Sequence, residues 1–163
     1  MKPATTIRRR RGRGGYTLLE IGIVLFIVAV LTAAMLPSFG GWLSERRLRA
    51  PVSDLVRLAR EARATASREG TPCTVVISPD SIRIEVDGAP GPGETRAIPG
   101  DVSVATKTWR EDAFVSRPAL FWHFHSSGLC DPLEVRFSRG ESWIELAFDP
   151  LTASPSSERY AFR

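Results

Sequence analysis

The sequence predicts an α+β protein: a long N-terminal helix, apolar in its first half and amphipathic in its second, then a β-rich head. Three observations predict it. Residues 16–36 form one apolar run with a single charge, Glu20. Residues 48–66 repeat apolar side chains at steps of three and four, the spacing of one helix face. Beyond Thr71 the period shortens to two, the spacing of half-buried strands. The 163 residues have room for one ordinary domain plus an extension, and 43% hydrophobic with 25% charged residues is a composition that folds. The organisation read from these shifts is a basic leader at 1–15, a transmembrane helix at 16–36, an amphipathic stem at 37–70 and the head at 71–163.

The leader holds six basic side chains, Lys2, Arg8, Arg9, Arg10, Arg11 and Arg13, and no acidic one. Without these fifteen residues 16 Lys+Arg face 18 Asp+Glu, so the net charge falls from +4 to −2. From Thr71 onward 9 basic residues face 13 acidic ones, a balance of −4. The basic character therefore belongs to the leader. An acidic head argues against a nucleic-acid partner, which needs clustered positive charge.

Tyr16 to Leu36 is 21 residues, YTLLEIGIVLFIVAVLTAAML. At about 1.5 Å per residue a helix needs about 20 residues to cross the hydrocarbon layer. Basic residues flanking a span stay cytoplasmic, which puts the N-terminus inside and residues 37–163 outside, in the periplasm if the membrane is a bacterial inner membrane. A cleaved secretory signal has a shorter apolar region, about 7–15 residues, although Thr32-Ala33-Ala34 mimics its small-residue site. Arg8-Arg9 invites a twin-arginine reading, and the basic run a nucleic-acid one, but no folded domain surrounds it. Glu20 separates these readings. A carboxylate in an apolar run opposes insertion by up to ~3 kcal/mol, so it is a functional candidate with a partner to be named; the bland alternative is a charge tolerated near the interface.

Gly15 followed by Tyr-Thr-Leu-Leu-Glu and an unbroken apolar stretch resembles the prepilin signature of type IV pilins and type II secretion pseudopilins. The resemblance covers about the first quarter of the chain. It implies cleavage between Gly15 and Tyr16 by a prepilin peptidase, methylation of the new N-terminus, and Glu20 fifth in the mature chain. Tyr16 stands where the family usually has Phe, and Pro37 falls where these proteins commonly carry a helix-bending proline. The implied partners are the prepilin peptidase, the lipid bilayer, other major and minor pseudopilins and the inner-membrane assembly platform. The implied role of Glu20 is assembly: its carboxylate meets a liberated, positively charged N-terminus inside lipid.

In the stem, Leu48, Val52, Leu55, Ala59, Ala62 and Ala66 form the stripe, while Arg57, Arg60, Glu61 and Arg68 fall off it. The shrinking side chains imply close packing along the far half, against the protein's own sheet, with a coiled coil as the alternative. The arginines read as a solvated face, the alternative being an intersubunit role. Gly40-Gly41 and Pro51 are expected bends, and Gly70 backed by Pro72 an expected stop.

In the head, Ile82–Val86, Leu133–Phe137 and Trp143–Phe148 alternate as strands, with more at 73–78, 102–109, 120–125 and 159–162. Residues 79–81, 139–141 and the longer 88–93 carry turn chemistry. Six or seven antiparallel strands in two packed sheets follow. Cys73 and Cys130 both lie beyond the apolar run, so in an exported head a disulfide is chemically allowed; two buried thiols are the other reading. The passage RLRAPVSDLVRLAREARATASREGTPCTVVIS and the later FHSSGLCDPLEVRF are similar to the stem-to-strand and phenylalanine-to-glycine segments of the GspH/FimT minor pseudopilins. That similarity implies a minor subunit near a pseudopilus tip, with secreted cargo a further contact.

No phosphate loop, nucleophile elbow or dinucleotide fingerprint occurs, so neither an enzyme nor a cofactor is expected. His123 and His125 share a strand face with Cys130 and Asp131 following, but no second ligand pair has metal-site spacing, and no metal is assigned. Trp109, Trp122 and Trp143 read as core or rim aromatics, with a protein contact patch as the alternative. The function expected is a structural subunit of a type II secretion pseudopilus. The rivals are a FimT-like minor type IV pilin serving pilus assembly, adhesion or DNA uptake, and a membrane-anchored enzyme.

Overall fold

The computed structural model describes residues 16–35, 38–91, 93 and 95–163, with backbone alone at 34, 35 and 38–44. The chain divides into two units, Met1–Pro37 and Ser38–Arg163.

Within the first unit, helix α1 runs Leu18–Met35. Thr17 caps it: the Glu20 backbone N–H donates to Thr17 Oγ1 at 3.1 Å, and Ile21 N–H reaches the Thr17 carbonyl at 3.2 Å. Thr-x-x-Glu is the spacing of a capping box, and an acidic residue in the first turn suits the positive end of the helix. The helix is apolar on every side and its large apolar side chains are exposed, from Leu18 at 93% down to Ile21 at 46%. Among the described residues no helix is long and apolar enough to cross a membrane. The sixteen residues of α1 with described side chains rise about 24 Å, short of the ~30 Å hydrocarbon layer, and the expected span at 16–36 continues past them.

Helix is described again from Ser38, as α2 over Ser38–Glu69; residues 36 and 37, between the two stretches, lie outside the described residues. Pro37, the expected bend, lies outside the described residues. Helix α2 passes through Gly40, Gly41 and Pro51 without interruption. The whole expected stripe is buried, joined by Leu58 and Thr65. Gly70, at φ 67°, ends the helix in the left-handed conformation that glycine adopts without a Cβ clash.

Nine strands follow among the described residues. One antiparallel sheet holds β1 (Cys73–Ile77), β2 (Ser81–Val86), β3 (Ala89–Pro90), β4 (Arg96–Ala97) and β6 (Leu120–Phe124), ordered β3-β2-β1-β6 with β4 also on β2. The other holds β5 (Ser103–Thr108), β7 (Leu133–Arg139), β8 (Ser142–Phe148) and β9 (Pro155–Ala161), in the order β5-β7-β8-β9. Two-residue strands β3 and β4 occupy a segment expected to be turn and loop. Asp87 at φ 49° and Gly88 at φ 75° make the tight hairpin turn that lets Ala89 pair back on Val86. Strand β9 also starts four residues earlier than expected.

Helix α2 contacts β1, β2, β4 and β6 of one sheet and β7 and β8 of the other. The stripe, Val75, Ile82, Trp122, Phe124, Val135, Phe137, Ile144 and Leu146 close into one core. Trp122 is its hub: ring centroids lie 4.7 Å from Phe124 and 4.8 Å from Phe148, and its indole N–H donates to the Asp131 carbonyl at 2.7 Å.

The disulfide allowed by the sequence does not form. Cys73 and Cys130 are both free and buried. Register explains why: Cys73 pairs with Phe124 from β1, and Cys130 bridges to Phe124 from the other side of β6. Two such steps separate their Cα atoms by roughly 9–11 Å, whereas a disulfide needs less than about 7 Å. Burial pushes both thiols up, Cys130 to about 11. Thiol titration should therefore find two free thiols after unfolding without reductant. A result of none would restore the disulfide.

Ala59, Ala62 and Ala66 are fully buried, so α2 approaches the sheets too closely for larger side chains. Ala62→Leu should destabilise the protein by about 1–3 kcal/mol through overpacking, read from the denaturation midpoint of the detergent-solubilised chain.

Candidate functional site

The candidate site read from the sequence is the start of α1. Gly15 lies outside the described residues; Tyr16 is described and 78% exposed, and Glu20 is exposed in the first turn. Thr17 was not singled out in the sequence, although Thr-x-x-Glu ahead of an apolar run is the signal that finds it. Residues 16–35 contain no Lys, Arg or His. A counter-charge for the Glu20 carboxylate therefore comes from outside residues 16–35. Chemically the arrangement offers one acidic group on a helix that is otherwise apolar all round. Such a helix requires an apolar environment on every side, lipid or protein.

Arg57, Arg60 and Arg68 are exposed, as the solvated-face reading expects, while Arg47, Arg49 and Arg63 of the same helix reach the head. Arg47 Nη1 meets Asp101 at 2.9 Å, and Arg139 Nε reaches the same Asp101 oxygen at 2.6 Å. The hydrogen bond from Arg139, aided by Arg47, holds the Asp101 carboxyl below its ordinary value. Arg49 bonds Glu45 at 2.8 Å, pairs with Glu158 of β9 at 3.5 Å, and stands 5.9 Å from the rings of both Tyr160 and Phe162. Arg63 Nε donates to two loop carbonyls, Gly128 and Leu151, each at 3.1 Å. Arg57 and Arg68 pair only with helix neighbours, Asp54 and Glu69.

On the outer face of the second sheet, Glu145 of β8 pairs across strands with Arg136 of β7 and Arg159 of β9. Its side chain is only 4% exposed. Burial pushes its carboxyl up, but the two guanidinium groups outweigh burial and leave it below the ordinary value. Arg136 also lies 4.1 Å over Phe114 and 5.5 Å from Trp143. Sequence alternation placed Glu145 on the solvent side; its two flanking arginines and the aromatic cover are what bury it.

A cleft of about 260 Å³ beside this face is lined by Lys107, Trp109, Glu111, Leu133, Glu134 and Phe148 among others. Trp109 is 67% exposed with Arg110 stacked 4.6 Å from its ring. Glu111 accepts from the Thr108 N–H and hydroxyl, both at 2.9 Å, and pairs with Arg117. These bonds, the Thr108 amide first, lower its carboxyl from 4.5 to about 2.

His123 and His125 point away from the core that Trp122 and Phe124 enter. His123 Nδ1 lies 3.3 Å from Thr74 Oγ1, and His125 Nε2 lies 3.7 Å from Asp131. No group of three metal-ligating side chains occurs among the described residues. No protein-family model matches the chain, and no curated protein or solved structure does either.

A depressed folded-state carboxyl contributes stability that is present above its unfolded value and lost as pH falls through the folded one. For Glu111 that window runs from 4.5 down to about 2. The thermal midpoint should therefore drop as pH is lowered through it, and Glu111→Gln should flatten the drop. An identical pH profile for the variant would remove Glu111 from this role.

Proposed function

We propose that the chain is a minor pseudopilin of the GspH/FimT type, a structural subunit of a type II secretion pseudopilus and not an enzyme. The observation that carries this reading is α1: an exposed helix, apolar on all sides, with one carboxylate in its first turn and no basic residue of its own. In this reading the precursor sits in the inner membrane with its N-terminus cytoplasmic and its head periplasmic. A prepilin peptidase cuts after Gly15 and methylates Tyr16. The new amine lies within a turn or so of Glu20 and can pair with it, or with Glu20 of a neighbouring subunit, in a low-dielectric surrounding. Removing one member of such a pair leaves a buried, uncompensated charge, and that asymmetry fixes subunit register.

The β-rich head on an amphipathic stem supports the same reading at the level of architecture. A minor type IV pilin shares every one of these features. The acidic balance from Thr71 onward favours the secretion role over one in DNA uptake, because phosphate binding needs clustered cations.

Mass spectrometry of the mature protein should give an N-terminus at methylated Tyr16, and Gly15→Ala should leave the precursor uncut in cells with an active prepilin peptidase. Mature material beginning elsewhere would overturn the reading. Glu20→Val should insert in the membrane yet incorporate poorly into filaments; wild-type incorporation would strip the carboxylate of its assembly role.

A further inference from the structure

Where β1 and β5 approach the segment 115–117, two polar atoms are sealed from solvent without a partner: the Thr106 hydroxyl oxygen and Arg117 Nε. Both residues line one small pocket, with Ile77, Ser78, Pro79, Val104 and Val115. Thr106 is 2% exposed. An orphaned buried hydroxyl or guanidinium N–H keeps its full desolvation penalty, so native proteins rarely leave one unmet.

The pocket measures about 10 Å³. That is about the space that one water molecule requires. We infer that this pocket is a binding site for a single ordered water that bridges Thr106 Oγ1 and Arg117 Nε. The chemistry selects water over an ion. Arg117 already has its counter-ion in Glu111, so an anion would find no unbalanced charge. A cation would face the Arg117 Nε–H, a donor. Water accepts from Arg117 Nε and exchanges a hydrogen bond with the Thr106 hydroxyl, leaving a proton for a third acceptor; Ser78 is the remaining polar residue on the wall.

The position gives the water a structural task. Thr106 belongs to one sheet, Ile77 ends a strand of the other, and Arg117 belongs to the connection between them. Protein contacts already hold this connection at two points. Thr106 and Val115 exchange backbone bonds at 3.0 and 2.9 Å, and Arg117 pairs with Glu111. The water adds a third tie at the seam of the two sheets, where side chains alone leave a gap. This holds whatever the head assembles with.

The test is water–protein magnetisation transfer by NMR on the full chain in detergent, read at the Thr106 methyl and the Val115 amide. A long-lived water should give a cross-peak at both in the wild type, and at the Val115 amide in Thr106→Ser, whose side chain keeps the hydroxyl and has no methyl. In Thr106→Val, which keeps the shape and loses the hydroxyl, the cross-peak should disappear. No cross-peak in a folded wild type would overturn the site, and so would an unchanged one in Thr106→Val. If the valine variant fails to fold, the wild-type measurement decides alone.

Discussion

The apolar stripe of α2 is the surface on which the second unit depends. Neither sheet can bury its inner face alone, and each presents alternate side chains to the same helix. Leu48, Leu55 and Leu58 fill the wide part of the gap at full burial. Each contributes about 1.5–3 kcal/mol by leaving water. Ala59, Ala62 and Ala66 then bring the helix backbone close to β-structure, where Trp122 and Phe124 supply the bulk instead. Large residues on the helix fill the wide part of the gap, and small ones leave room for large side chains of the sheets. The volume is conserved while its source changes from helix to sheet.

Polar ties follow from that packing and do not replace it. Arg47, Arg49 and Arg63 leave the helix at its buried margins, where a guanidinium can lay its stem on apolar surface and hold its head at the rim. Their partners are loop or edge elements: Asp101, Glu158, and the carbonyls of Gly128 and Leu151. Exposed pairs of this kind are individually weak, typically below about 1 kcal/mol. Their effect is positional. They fasten segments that bury little apolar area of their own, β9 above all, whose side chains are mostly exposed.

Periodicity made the helix stripe and seven strands legible, because burial on one face imposes a period that survives in a single sequence. The stripe from Leu48 to Ala66 is buried throughout, and β6 alternates without a break. What stayed hidden has a common cause: it depends on partners distant in sequence. Pro155-Ser-Ser opens β9 as an edge strand with no buried alternation to announce it. Strands β3 and β4 are two residues each, too short for any period. Glu145 reads as solvent-facing until Arg136 and Arg159 stand on either side of it. Cys73 and Cys130 fit a disulfide by compartment, but only strand register reveals Phe124 between them. At the start of α1 the residues themselves were legible. Thr17 is legible only through its spacing to Glu20, whose backbone N–H it caps.

The two units treat charge differently, and the contrast bears on the proposed role. In the second unit the least exposed carboxylate, Glu145, is held between two arginines supplied by its own sheet. Its folding satisfies its electrostatics. In α1 the helix cap satisfies the backbone N–H of Glu20, while the carboxylate has no basic residue anywhere in 16–35. The second unit supplies Glu145 with two arginines, whereas residues 16–35 supply Glu20 with none. An apolar helix carrying an unanswered acid is stable in lipid only near the interface, or where another positive group comes to it. The proposed cleavage creates such a group within a turn or so of the acid, and the proposed stacking of subunits supplies it again from a neighbour. In that proposal the same carboxylate that opposes insertion of a lone helix favours its association.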